Sequence, residues 1–212
     1  PPKGYLQKLR QICDKYGVLL IFDEVITGFG RMGDITSSRH FGVTPDIITM
    51  AKGLTNGVVP MGATFVTKKI HETFMPEKDE DCGFMHGYTY SGHPLAVAAA
   101  IGTLDTVQDE KIWDNAKKMS KPFEDAIHSL KDKPHVVDIR NCGILGCIQL
   151  DVHSQEDPGK YAREASYELF NRGMMIRYSG SQLFWCPPLI LDENHIDQMA
   201  TVTGEVLNFV AG

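Results

Sequence analysis

Apolar side chains recur at helical spacing through Tyr5, Leu6, Leu9, Ile12, Cys13 and Tyr16, and Gly17 sits where a helix-ending glycine belongs, so the pattern predicts a first helix. Residues 18–22 (VLLIF) then run apolar without a break, which predicts a strand buried on both faces. Residues 46–50 (DIITM) and 63–67 (ATFVT), each bounded by Gly or Pro, predict two more strands. A helix feeding a buried strand is half of an α/β unit. The first part of the chain therefore reads as a piece of a mostly parallel sheet. Residues 95–104 are apolar or small on every side, the mark of a helix packed deep against that sheet.

The pattern changes near Asp109. Residues 111–130 form a charged amphipathic stretch, 136–140 alternate, and 144–150 are again strand-like. Two further helices are predicted at 160–171 and 194–210, the second with Ile196, Met199, Ala200, Thr203, Val206, Leu207 and Val210 on one stripe. Between them lie strand candidates at 174–178 and 182–186, closed by Pro187 and Pro188. This order predicts two domains, 1–108 from a larger α/β domain and 109–212 a small α+β domain. The first supplies about three strands, too few for a doubly wound core, so the chain reads as the later part of something larger.

The 212 residues are 42% hydrophobic and 23% charged, as in an ordinary globular chain, which excludes fibrous, mucin-like and wholly disordered classes. With 21 Lys and Arg against 27 Asp and Glu the net charge is −6, so neither nucleic acid nor an anionic membrane is an expected partner. The apolar runs fall short of the ~20 residues that span a bilayer, and the opening Pro-Pro-Lys-Gly is unlike a signal peptide. A cytoplasmic location is expected. Cys13, Cys82, Cys142, Cys147 and Cys186 are odd in number and widely spaced, which suits reduced thiols. Cys142 and Cys147 lack a CxxC or a second pair, and Cys82, His86 and His93 match no common zinc spacing, so no metal is expected.

Ligands of α/β sheets bind beyond the carboxyl ends of the strands. Asp23 ends the first predicted strand and Lys52 follows the second. The two could face one cavity if the strands are neighbours, the alternative being a surface salt bridge. Thr89 and Ser91 stand ahead of the predicted deep helix, where hydroxyls and free N–H groups can hold a phosphate, or where they cap the helix. Arg177 follows Met174, Met175 and Ile176 at the predicted end of a strand, a fork that needs an anion if buried, or a fixed structural ion pair. The small residues of 57–62 (GVVPMG) permit close approach. Residues 28–33 (GFGRMG) match a dinucleotide fingerprint formally, yet 34–45 carry no helical apolar period and the nearest acid comes too early, so a nicotinamide site is set aside. An acid, a lysine, a phosphate-binding turn and a carboxylate-binding arginine are together the parts of a pyridoxal-phosphate site.

Residues 20–31 (LIFDEVITGFGR), 41–46 (FGVTPD), Ala51-Lys52, 60–63 (PMGA) and 86–94 (HGYTYSGHP) closely resemble the class III pyridoxal-phosphate aminotransferases. Within them, 73–75 (TFM), 137–141 (VDIRN) and 176–178 (IRY) look most like the omega-amino acid–pyruvate (β-alanine–pyruvate) type. The resemblance implies a fold-type I transferase, with the chain as its C-terminal half. It implies that Lys52 is the Schiff-base lysine, that Asp23 pairs with the pyridinium nitrogen, and that Val25 packs on one ring face. Thr89 would bind the phosphate of the neighbouring subunit, making the enzyme a homodimer or a tetramer of dimers, and Arg177 would hold a substrate carboxylate and swing aside for bulky amines. Family members often carry Gly-Asp-Thr after that arginine, where this chain has Ser179-Gly180-Ser181-Gln182, which puts the loop's geometry in question. The implied activity is ping-pong transfer of an amino group from an amine or omega-amino acid to pyruvate or a related 2-oxo acid, with pyridoxal 5′-phosphate as cofactor. A 4-aminobutyrate, ornithine or diaminopelargonate type, an aminomutase, or an inactive fragment are the alternatives.

Overall fold

The computed structural model describes residues 1–75 and 83–211. It contains two compact units, one of Pro1–Phe29 with Asp34–Lys111, the other of Gly30–Gly33 with Ile112–Gly212. A linear reading had no means of assigning Gly30–Gly33 to the second unit.

In the first unit α1 (Tyr5–Tyr16) ends on Gly17, which takes the left-handed backbone at φ 65° and donates its N–H to the Cys13 carbonyl. There follow β1 (Ile21–Asp23), α2 (Ser37–Phe41), β2 (Ile47–Met50), a 3-10 turn (Lys52–Leu54), β3 (Ala63–Val66), α3 (Lys68–Phe74) and α4 (Pro94–Asp109). The sheet order is β1-β2-β3. β1 and β2 are parallel with Ile21 opposite Ile47 and Asp23 opposite Thr49, whereas β2 and β3 are antiparallel. Of the two strand pairs in this piece of the sheet, one is parallel and one antiparallel. β2 and β3 are joined through the turn at Lys52 and the loop after it, without the helical crossover that a parallel pair requires.

Two burial expectations are also corrected. β1 is covered on one face only: Leu20 and Phe22 are buried, while Val18, Leu19 and Ile21 are each more than half exposed. Likewise α4 buries Ala96, Ala100 and Val107 but exposes Leu95 and Ile101. In both elements the apolar period has partners on one side alone among the described residues. Ala100 packs with Phe29, Met50 and Leu54, so α4 lies behind the turn that carries Lys52.

Asp46 ties this unit together. Its carboxylate accepts the Leu20 N–H at 2.8 Å and Arg10 Nη1 at 2.7 Å, which joins α1 to the start of both parallel strands. The Leu20 N–H, then Arg10, hold this carboxyl below the ordinary range.

The second unit has α5 (Ile112–His128), β4 (Val136–Cys142), β5 (Leu145–Leu150), α6 (Lys160–Asn171), β6 (Arg177–Ser179), β7 (Gln182–Trp185) and α7 (Glu193–Val210). Its four strands are antiparallel in the order β4-β5-β7-β6. Phe123 and Ile127 of α5, Leu169 of α6, Ile148, Leu183 and Trp185 of the sheet, and Val206 of α7 are all fully buried in one core. An α+β arrangement of this kind is what strands alternating with amphipathic helices build.

Candidate active site

Asp23 is the last residue of β1, and β2 runs parallel beside it, so the two strands end at the same edge of the sheet. Adjacent strands lie about 4.8 Å apart. Lys52 comes directly after Ala51 at the end of β2 and adopts φ +48°, a left-handed backbone that costs a non-glycine residue of order 1 kcal/mol. Both side chains are exposed at that edge. The Asp23 carboxylate accepts the Val25 N–H at 3.0 Å through Oδ1, which orients it, and Val25 itself is half-buried. The structure therefore places Asp23, Val25 and Lys52 at the carboxyl ends of two adjoining parallel strands.

Thr89 lies in the turn running into α4 and is exposed. The N-cap of α4 is His93, whose Nδ1 accepts the Leu95 N–H at 3.2 Å, so neither Thr89 nor Ser91 caps the helix. Of the Cys82, His86 and His93 group, Cys82 lies outside the described residues. Cys142 and Cys147 face Leu145 and Arg140 rather than one another, and burial pushes both thiols up.

Arg177 is not at the end of a strand. It opens β6, opposite Phe184 of β7, and is exposed; no ion pair among the described residues involves it. The strand begins three residues later than predicted because its pairing with β7 starts only at Arg177. The turn after it, Gly180-Ser181, is a two-residue hairpin with Gly180 at φ +53°, as the turns that match strand twist require. Gln149 Nε2 donates to Ser181 Oγ at 2.6 Å, and Gln182 Nε2 donates to Gln149 Oε1 at 2.8 Å. Ser181 and Gln182, which depart from the family pattern, are thus the residues that staple the loop.

The GFGRMG stretch has a structural explanation. Gly33 has φ +77°, and a Cβ there would lie 2.9 Å from the Lys117 main chain. Arg31 Nη1 donates to the carbonyls of Pro187 and Ile144, and burial lowers its pKa from the usual guanidinium value. A short helix does follow, α2, against expectation, but Thr36 caps it rather than a glycine of the motif.

One residue was passed over in the sequence. Glu24 is 1% exposed and takes two main-chain N–H groups from the start of α2. Its signal was faint, a second acid after Asp23 where strand alternation turns a side chain inward.

The profile of the family described as aminotransferase class-III matches residues 1–207. The chain belongs to the class III aminotransferases. These enzymes depend on pyridoxal phosphate. An omega-aminotransferase of Caulobacter vibrioides is 47% identical over 99% of this chain and 48% of its own length, and a beta-alanine–pyruvate aminotransferase of Pseudomonas aeruginosa is 41% identical over 100% and 47%. The chain spans about half the length of these relatives. Among solved structures, an (S)-enantioselective omega-transaminase from Thermomicrobium roseum superposes with a TM-score of 0.90 at 34% identity, over 100% of this chain and 48% of that one. The omega-transaminase of Pseudomonas jessenii, solved in complex with PMP, gives 0.87 at 29% identity, over 99% and 48%. The fold is that of these transaminases, an α/β fragment of fold-type I.

The donor set fits the class III cofactor. A carboxylate can pair with a ring nitrogen, an amine can bond to an aldehyde, and an aliphatic face on Val25 stands beside the acid; all three sit at one sheet edge, open to a ligand.

Proposed function

We propose that this chain is the part of an aminotransferase that carries the reactive lysine, and that the complete enzyme moves an amino group from an amine or omega-amino acid to pyruvate or a related 2-oxo acid in a ping-pong cycle. The observation that carries the reading is the placement of Asp23 and Lys52 at the ends of two adjacent parallel strands. Pyridoxal phosphate, when bound, supplies an electron-withdrawing ring and an aldehyde that takes up amino groups. Lys52 Nζ would hold that group and would serve as the base and acid that move a proton at the substrate carbon. Asp23 keeps a proton on the ring nitrogen, since an opposite charge at hydrogen-bond distance favours the charged form by ~1–3 pKa units. Val25 bears on a ring face, Thr89 reaches the phosphate of a neighbouring subunit in a homodimer, and Arg177 pairs with the substrate carboxylate.

The names borne by the relatives at 47% and 41% identity support the omega-amino acid and pyruvate assignment, against 36% for a gamma-aminobutyrate transaminase of rice. The deciding experiment is borohydride reduction of the complete enzyme followed by peptide mapping. The expected result is loss of the visible band and the cofactor mass on the peptide containing Lys52, with Lys52→Ala inactive. Label on Lys68 or Lys69 instead removes the assignment. A screen of amino donors against pyruvate then tests the substrate class.

A further inference from the structure

The most deeply buried of the described acids in the first unit has no part in the proposed chemistry. Glu24 follows Asp23 and is 1% exposed. Its Oε2 accepts the Ser37 N–H at 2.5 Å and its Oε1 the Ser38 N–H at 2.9 Å. No ion pair among the described residues includes it, so these two main-chain donors carry its charge. A buried carboxylate persists only where it is hydrogen-bonded, so its position is sharply defined.

The main chain of the same residue is held as firmly. The Glu24 N–H donates to the Thr49 carbonyl at 2.9 Å, and the Glu24 carbonyl accepts the Gly28 N–H at 3.0 Å. Thr49 is the register partner of Asp23 on the strand that leads to Lys52. Gly28 has no room for a side chain, since a Cβ would lie 2.4 Å from Met50 Cε and 2.9 Å from the Glu24 carbonyl. Asp23 and Glu24 point to opposite faces, Asp23 outward and Glu24 inward. The outward carboxylate is therefore carried on a turn whose inward neighbour is bolted to α2.

We propose that Glu24 is a positioning residue for Asp23: its buried carboxylate, anchored on the N–H groups of Ser37 and Ser38, fixes the turn after β1 and so sets where the Asp23 carboxylate meets the ring nitrogen of the cofactor. This rests on the reading of Asp23 given above.

The test uses the complete enzyme reconstituted with pyridoxal phosphate labelled with nitrogen-15 in the ring, whose resonance reports whether that nitrogen is protonated. Glu24→Gln sets an amide NH₂ against one of the two main-chain donors. Its expected effect is a resonance moved part of the way to the unprotonated position, with cofactor affinity weakened about ten-fold, as for one lost hydrogen bond to a charged group. Asp23→Asn moves the resonance further, and adding Glu24→Gln to it changes neither readout, because both act through one group. Thr36→Ala is the control. It removes the hydroxyl that accepts the Arg39 N–H at 3.1 Å but leaves the Ser37 and Ser38 N–H groups that hold Glu24 unaltered, and it leaves the resonance in place.

Should Glu24→Gln fail to fold, Ser37→Pro serves. Ser37 is the first helical residue, where proline is tolerated, Thr36 before it is already extended, and the Ser37 hydroxyl has no partner, so the change falls on the N–H given to Glu24. It is expected to move the resonance in the same direction. An unmoved resonance in the Glu24 or Ser37 variant overturns the proposal, as does an equal movement in Thr36→Ala or a full additional effect in the double variant. If Asp23→Asn itself leaves the resonance unmoved, the assignment of Asp23 fails, an outcome read independently of Glu24.

Discussion

Asp46 shows how one side chain converts a sequence motif into a fold. Its carboxyl titrates below the ordinary value because the Leu20 N–H, and after it Arg10, bind the ionised form. A folded pKa below the unfolded one means that the unfolded chain takes up the proton first as pH falls. The stabilisation is therefore complete above the ordinary carboxylate range and is lost as pH falls through the depressed value. Asp46→Asn should make the complete protein less stable near neutrality and less sensitive to acid; acid-denaturation curves of equal steepness for both proteins would count against the clamp. Lys52 belongs to the same scale. Its left-handed backbone is invisible in a sequence, which shows the lysine's chemistry but not its φ.

At the scale of elements, helix α5 meets strand β5 at Gly146. A Cβ there would lie 2.4 Å from Ile127 Cδ1 and 3.1 Å from the Phe123 ring. Both neighbours are fully buried and cannot retreat. Gly146→Ala should lower stability by ~1–3 kcal/mol, the usual range for overpacking a core, measured as a shift in the urea midpoint. The β6–β7 hairpin carries a prediction about specificity. Arg177 stands on a short strand whose turn is stapled by Gln149, Ser181 and Gln182, so the proposed role of Arg177 calls for motion of its side chain rather than of the loop. In the complete enzyme Arg177→Ala should raise the KM for pyruvate strongly and that for a carboxylate-free amine little, because only the first partner loses an ion pair. Equal losses for both would make Arg177 structural.

On the scale of the whole molecule, the two units differ in completeness. The second closes a core of its own around Phe123, Ile148 and Trp185. The first leaves Val18, Leu19, Ile21, Tyr88, Tyr90 and Leu95 more than half exposed, along one edge strand and around the start of α4. Apolar surface on that scale, next to a strand edge left unpaired among the described residues, invites association. The 212-residue chain expressed alone should aggregate and bind pyridoxal phosphate poorly. A monodisperse preparation in sedimentation, with cofactor bound, would show that the first unit needs no further chain to complete it.

Helix and strand identity were legible because they depend on local periodicity. Residues 5–16 and 160–171 are helices over the predicted spans, and Gly17 ends the first as its lack of a Cβ allows. The family was legible for a related reason: the residues around Asp23, Lys52 and Thr89 are contiguous motifs, readable one segment at a time. What the sequence could not decide was which face of an apolar segment finds a partner, since burial depends on neighbours distant in the chain. Residues 18–22 and α4 have the composition of fully buried elements, yet each is covered on one side. The antiparallel pairing of β3, the late start of β6 and the docking of Arg31 on the carbonyls of Ile144 and Pro187 were likewise decided by hydrogen bonds between segments far apart in sequence. So was the burial of Glu24. Beside Asp23 it reads as a second surface acid, and only the return of the chain at Ser37 and Ser38 supplies the two N–H groups that let a carboxylate lie inside.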